Sequence, residues 1–191
     1  MLIGLTGKKF SGKTTIAKFL TENYDFKEYA FADSLKKACI NIFGLTEEQV
    51  YGKNKETLRI IDEYWNTTPR VIMQTLGTLI RNLNDSPETN LNNLKDIWIK
   101  QVHRKIIESK NKNHKNIVVS DIRYNDEALM IKKLGGIIIK IDKQDDKHES
   151  ENQELKLGEV DIIISNDGTI DNLLEKIKQV IDHYNSTIIP L

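Results

Sequence analysis

Leu2-Ile3-Gly4-Leu5-Thr6-Gly7-Lys8-Lys9-Phe10-Ser11-Gly12-Lys13-Thr14-Thr15 is the stretch that decides the fold. Its first five residues form a short apolar run of strand type, and Gly7 to Thr14 matches G-x4-G-K-[ST]. Ile16-Ala17-Lys18-Phe19-Leu20 then takes up helical spacing, so the motif lies between a strand and a helix, the context in which it forms a phosphate-binding loop. Glycines let the backbone close around a phosphate, while successive N–H groups and the helix N-terminus supply donors and positive potential. Lys13 is placed to meet the β- and γ-phosphates and Thr14 to offer its hydroxyl to Mg²⁺. Gly7, Lys8, Lys9, Phe10, Ser11, Gly12, Lys13, Thr14 and Thr15 are therefore candidate ATP-binding residues. The motif points to a nucleotide and leaves the reaction open.

Working outward, four further runs rich in β-branched or aromatic residues read as strands: Lys27 to Phe31, Ile117 to Ser120, Ile137 to Ile141 and Asp161 to Ser165. Near-continuous apolar runs imply strands covered on both faces, as in a parallel sheet. Helical periodicity lies between them, over about Lys13 to Asn23, Ser34 to Phe43, Pro69 to Asn84, Leu94 to Glu108, Asn125 to Leu134 and Ile170 to Tyr184. Thr68-Pro69 fits an N-cap followed by proline in the first turn, and Gly135-Gly136 is a stop. The alternation predicts an α/β, doubly wound, three-layer fold with a five-stranded parallel sheet flanked by helices.

A chain of 191 residues fits one domain, here with an acceptor-binding helical region at about 34–110 and a short lid at about 143–158. Lys+Arg and Asp+Glu both total 28, so no net charge draws the molecule to nucleic acid or an anionic membrane, and any anion site is local. Cys39 is the single cysteine, which excludes an intrachain disulfide and a cysteine-based metal site and suits a reducing compartment. No window approaches the roughly 18 apolar residues of a membrane span. A soluble, cytoplasmic chain is expected.

Phosphate-binding loops serve kinases, GTPases, motors and helicases, so other residues must discriminate. Arg70, Gln74, Thr78 and Arg81 are spaced to share one stripe of a helix, with Ile72, Leu76, Leu79 and Leu83 expected on the opposite face. Arginine suits a phosphate through its planar fork, and glutamine can donate and accept at a base edge; a merely solvated face is the plain alternative. Ser120-Asp121-Ile122-Arg123 follows an apolar strand, hence stands at the carboxyl edge of the sheet, where open α/β folds bind ligands. There Asp121 could reach Mg²⁺ through water, and Arg123 could bridge two phosphates being joined; a strand-end ion pair is the alternative. Asp33 in Phe31-Ala32-Asp33-Ser34-Leu35-Lys36 is equally readable as an acceptor contact or a helix N-cap. Asn166 could meet the adenine end of ATP, or simply serve the Asn-Asp-Gly turn. Trp98, among Ile97, Ile99 and Val102, reads as core, and neither His103 nor His148 has a partner at metal-ligand spacing.

Together these residues resemble the deoxynucleoside monophosphate kinases of large DNA bacteriophages and large DNA viruses. The resemblance runs from Thr6-Gly7-Lys8-Lys9-Phe10-Ser11-Gly12-Lys13, through Phe31-Ala32-Asp33 with Leu35-Lys36, to Arg70-x3-Gln74-x2-Gly77-Thr78-x2-Arg81. It continues over Ser120-Asp121-Ile122-Arg123-x3-Glu127-Ala128 and His148-x-Ser150-Glu151 to Asp161-x4-Asn166-Asp167-Gly168-Thr169. It implies a nucleoside monophosphate kinase type of fold and ATP-dependent phosphorylation of deoxynucleoside monophosphates, with ATP and Mg²⁺ as cofactors and DNA precursors as products. It implies catalytic roles for Lys13, Asp121 and Arg123, metal contacts from Thr14 and Asp121, and acceptor contacts from Asp33, Lys36, Arg70, Gln74, Thr78, Arg81, Arg123 and Glu127. Its phage relatives suggest a homodimer.

Two departures stand out. The family often has an acidic residue directly after the loop lysine, where this chain has Thr14. Adenylate-type kinases close an arginine-bearing lid, whereas 143–158 contains no arginine, leaving Lys143, Lys147 or Arg123 to supply that charge. The competing readings are another small-molecule kinase, of the dephospho-coenzyme A or phosphomevalonate type, and an ATPase accessory factor. The latter should carry a catalytic Glu beside Asp121, where Ile122 and Arg123 stand instead.

Overall fold

The computed structural model describes residues 1–52, 62–82, 96–143, 155 and 157–187. The chain divides into two compact units, Met1–Ala30 with Lys105–Leu191, and Phe31–Arg104.

The first unit is an all-parallel sheet of β1 (Leu2–Thr6), β2 (Lys27–Tyr29), β3 (Ile117–Val119), β4 (Ile137–Asp142) and β5 (Ile162–Ser165), in the order β2-β3-β1-β4-β5. Its helices are α1 (Lys13–Asn23), α6 (Asn125–Lys133) and α7 (Ile170–Thr187). The chain leaves β1 toward β2 on one side, while β4 and β5 lie on the other. The strand order thus reverses at β1, and the crevice of such a fold opens at that strand's carboxyl end. β1 and β3 are buried along their whole length, as their apolar runs foretell. Ile3, Leu5, Val118, Ile139 and Ile141 pack there against Ile16, Ala17 and Leu20 of α1 and Leu173, Ile177 and Ile181 of α7. Each fully buried Ile or Leu contributes about 1.5–3 kcal/mol. β5 departs from the expectation of two covered faces: it is an edge strand, and Ile163 is 56% exposed.

The second unit is helical, with α2 (Phe31–Phe43), α3 (Glu47–Tyr51) and α4 (Pro69–Arg81). One buried cluster in it is Cys39, Leu45, Val50 and Ile72, with Leu35, Ile40, Phe43, Met73 and Leu76 packed against it. α5 (Ile97–Asn111) begins in this unit and ends in the first.

Several boundaries differ from the sequence reading. Phe31 starts a helix instead of ending a strand, so Asp33 lies in the first turn of α2 and is not its N-cap. A carboxylate there still complements the positive helix terminus. α3 was missed although Thr46-x-x-Gln49 is a capping box: Thr46 Oγ1 accepts from Gln49 N at 3.1 Å, and Gln49 Oε1 accepts from Thr46 N at 2.8 Å. α4 starts as expected, with Thr68 Oγ1 accepting from Val71 N at 3.2 Å and Pro69 following. Its buried face is Ile72, Met73 and Leu76; Leu79, expected inside, is 58% exposed in the last turn of the helix. α5 is described from Ile97, and Trp98, 6% exposed, is core as expected. Leu83, the start of the helix expected from Leu94, and Lys147, His148, Ser150 and Glu151 lie outside the described residues. Among those described, no helix is long and apolar enough to cross a membrane.

Candidate active site

The loop between β1 and α1 is held by backbone conformations that its glycines permit. Gly7 and Gly12 adopt φ of 138° and 108°. A Cβ on Gly7 would come 2.3 Å from Ile141 O of β4, so a side chain there would push the loop off the sheet. Phe10 is also left-handed, at φ 65°, and its exposed ring lies 5.6 Å from Lys9 Nζ. Ser11 is buried and donates its N–H to Lys8 O at 3.2 Å. Lys13 Nζ donates to Gly7 O and Lys8 O, both at 2.6 Å, and reaches Ser11 Oγ at 3.5 Å. The ammonium is thus drawn into the loop by carbonyl oxygens, and a bound phosphate would offer it stronger, charged acceptors. Thr14 and Thr15 follow in the first turn of α1, Thr14 exposed to solvent.

Asp121 and Arg123 come off β3, the strand beside β1. Two bonds tie this segment to the strand that feeds the loop: Ile122 N donates to Leu5 O at 3.1 Å, and Thr6 Oγ1 donates to Ile122 O at 3.0 Å. Asp121 is therefore pinned next to the end of β1, and Arg123 is exposed one residue beyond the pin. Glu127 is a different matter. It is 1% exposed, and its Oε2 accepts from Arg123 N at 2.8 Å and Tyr124 N at 3.2 Å. It caps α6 and shapes the Arg123 turn, a capping role that Glu at the third helical position regularly takes.

Asn166, after β5, donates Nδ2 to Ser11 O at 2.8 Å, so the structure places it on the phosphate-binding loop. The sequence reading did not foresee that contact.

In the second unit Arg70, Gln74, Thr78 and Arg81 all lie on α4, with Gln74 and Thr78 exposed. Asp33 and Lys36 of α2 come together with Tyr51 of α3. Lys36 Nζ sits 4.6 Å from the Tyr51 ring centroid, and burial, then the negative charges of Asp33 and Glu47, push the phenol's pKa up. Tyr51 went unnoticed in the sequence because α3 did. Nearby in the chain, Asp62 accepts from Gln49 Nε2 and from the N–H groups of Trp65 and Tyr64 at 3.0, 3.2 and 3.1 Å, which hold its carboxyl below the usual range. Trp65 Nε1 donates to Phe43 O at 2.8 Å, completing the turn that leads into α4.

The Thr14 hydroxyl, in the first turn of α1, and the Asp121 carboxylate, just past the end of β3, are the groups that could hold a magnesium ion, the rest of its ligands being water and phosphate oxygens. Among the described residues no group of three or more His, Cys, Asp and Glu is placed to hold a metal.

Solved structures with this architecture include dephospho-CoA kinase from Campylobacter jejuni, with TM-score 0.54 and 14% identity over 98% of each chain. Shikimate kinase from Aquifex aeolicus has TM-score 0.50 and 18% identity over 97% of this chain and 98% of its own. At such identities the likeness shows the fold alone, that of the P-loop kinases. Sequence takes it further: the profile of the deoxynucleotide monophosphate kinases matches residues 1–56 and 41–177. A protein of Acanthamoeba polyphaga mimivirus, named as a candidate deoxynucleotide monophosphate kinase, is 38% identical over 189 residues, covering 96% of this chain and 97% of that one. The chain belongs to the deoxynucleotide monophosphate kinase family and is a transferase.

Proposed function

We propose that this kinase transfers the γ-phosphoryl group of ATP to the phosphate of a deoxynucleoside monophosphate, yielding dNDP and ADP. The observation that carries the reading is the loop Gly7–Thr15 at the carboxyl end of β1, with Lys13 Nζ already bonded across its carbonyls, in a chain of this family. Lys13 stabilises charge on the moving group, and Arg123 neutralises charge between donor and acceptor. Thr14 and Asp121 would hold Mg²⁺, which when bound screens the phosphate charges. Arg70 and Arg81 bind the acceptor phosphate, Gln74 and Thr78 face the base and sugar, and Asp33 and Lys36 complete the acceptor contacts. Glu127, too buried to touch a nucleotide, serves by fixing the Arg123 turn.

The test is ATP turnover with and without each deoxynucleoside monophosphate. ATP consumption should depend on the acceptor and yield the matching diphosphate. Equal turnover without acceptor would favour an ATPase, and turnover only with dephospho-coenzyme A or phosphomevalonate another kinase.

A further inference from the structure

The connection from β5 to α7 does more than close the edge of the sheet. Asn166 is fixed at three points. Its main-chain N–H donates to Asp142 O at the end of β4, at 2.6 Å. Lys176 Nζ of α7 ties down both neighbours, bonding Ser165 O at 2.8 Å and Ser165 Oγ at 2.9 Å and pairing with Asp167 Oδ1 at 3.7 Å. The carboxamide Nδ2 then donates to Ser11 O at 2.8 Å, across 155 positions of sequence. Only the nitrogen of the amide can donate to a carbonyl, so this bond also sets which way the carboxamide is turned.

The bonded carbonyl belongs to the Ser11–Gly12 peptide. A trans peptide is planar, with its C=O and the following N–H directed to opposite sides. Holding Ser11 O against Asn166 therefore turns Gly12 N–H away from Asn166. Gly12 itself is backed by the same side chain: a Cβ there would come 3.0 Å from Asn166 Nδ2 and 2.8 Å from Leu173 Cδ2. Its φ of 108° is one that glycine adopts readily, so without an outside partner this peptide would be among the easiest in the loop to rotate.

We propose that Asn166 is a positioning residue for the donor phosphates, aiming the Gly12 N–H into the loop by holding the Ser11 carbonyl. The inference rests on the reading that Gly7–Thr15 binds the donor's phosphates. It assigns Asn166 to the loop and not to the adenine.

The test separates phosphate from base by using a donor fragment without one. Binding of ATP and of inorganic tripolyphosphate is measured by calorimetry for the wild-type chain, for Asn166→Asp, whose carboxylate cannot donate and repels the carbonyl, and for Asn166→Ala, which reads the loss should the Asp variant fail to fold. Both ligands should weaken by a similar factor of about ten, the scale of one charge-assisted hydrogen bond. The KM for ATP should rise by that factor while the KM for the acceptor stays unchanged, a split that general loosening of the fold would not produce. Weaker ATP binding with unchanged tripolyphosphate binding would overturn the proposal by placing Asn166 on the nucleoside. Unchanged binding of both would overturn it outright. A folded wild-type chain that binds neither would instead overturn the kinase reading beneath it.

Discussion

The two compact units are built differently. In the first, the donor loop is the direct continuation of a strand buried on both faces, and α1 and α7 pack into the same core. The two loop glycines with positive φ each have a close neighbour behind them: Ile141 O behind Gly7, and Asn166 and Leu173 behind Gly12. In the second, Cys39, Leu45, Val50 and Ile72 form one small buried cluster among the described residues, and α4 leaves Val71, Gln74, Thr78 and Leu79 exposed. The contrast suits the two tasks proposed for them. Phosphoryl transfer depends on fractions of an ångström at the donor, whereas a site that must admit and release an acceptor is drawn from the less stable parts of a fold.

The largest effect should come from the first unit. Lys13→Ala should leave the fold intact, since Lys13 Nζ bonds carbonyl oxygens of the loop itself, yet lower kcat by roughly a hundredfold or more. Circular dichroism and a coupled assay check both halves; near-normal turnover at saturating ATP would overturn the loop assignment. Arg123→Ala should lower kcat together with acceptor affinity, by about tenfold to a hundredfold, because a cation between two phosphates acts most strongly in the transition state. A change confined to thermal stability would mean that Arg123 serves only a strand-end ion pair.

In the second unit the effects should be smaller and more selective. Arg70→Ala should weaken all acceptors alike. Gln74→Ala should change the ranking of dGMP, dTMP, dCMP and dAMP by roughly tenfold in kcat/KM, the scale of one lost bidentate contact with a base. If both substitutions scale all four acceptors by one factor, Gln74 does not read the base.

The smallest effect concerns the turn before α4. The Gln49 bond first, and then the N–H bonds from Trp65 and Tyr64, hold the Asp62 carboxyl below its ordinary range in the folded chain. A depressed carboxyl stabilises the fold fully above its unfolded value and ceases to do so as pH falls through its lower, folded one. Acid unfolding should therefore weaken this turn below about pH 4, and Asp62→Asn should remove that share of the pH dependence. Trp65 fluorescence in a Trp98→Phe background would follow it, and an identical acid profile in the Asn variant would show that the Asp62 charge contributes nothing.

Much of the first unit could be read in the residues themselves. The strand Leu2–Thr6 and helix Lys13–Asn23 have the expected bounds, because an apolar run, a glycine-rich motif and a helical repeat are all local signals. Reading failed where a local signal was ambiguous or overridden. Phe31 is as good a strand residue as a helical one, and its burial in α2 decided the matter. Leu79 lies on the same side of α4 as buried Ile72, but in the last turn of the helix, where it is exposed.

By itself, then, the sequence determined the phosphate-binding loop, the parallel α/β alternation and the family, all written in neighbouring residues or in motif order. Tertiary structure alone decided what the side chains around the loop do. Glu127 stands in the chain like an acceptor contact, yet it is folded inward to cap the Arg123 turn. Ile122 is pinned to β1 through Thr6 and Leu5, and Asn166 holds Ser11. These partners are brought together only when parallel strands take their places side by side, and hydrophobic periodicity records which face is buried but not which distant carbonyl a buried donor will meet.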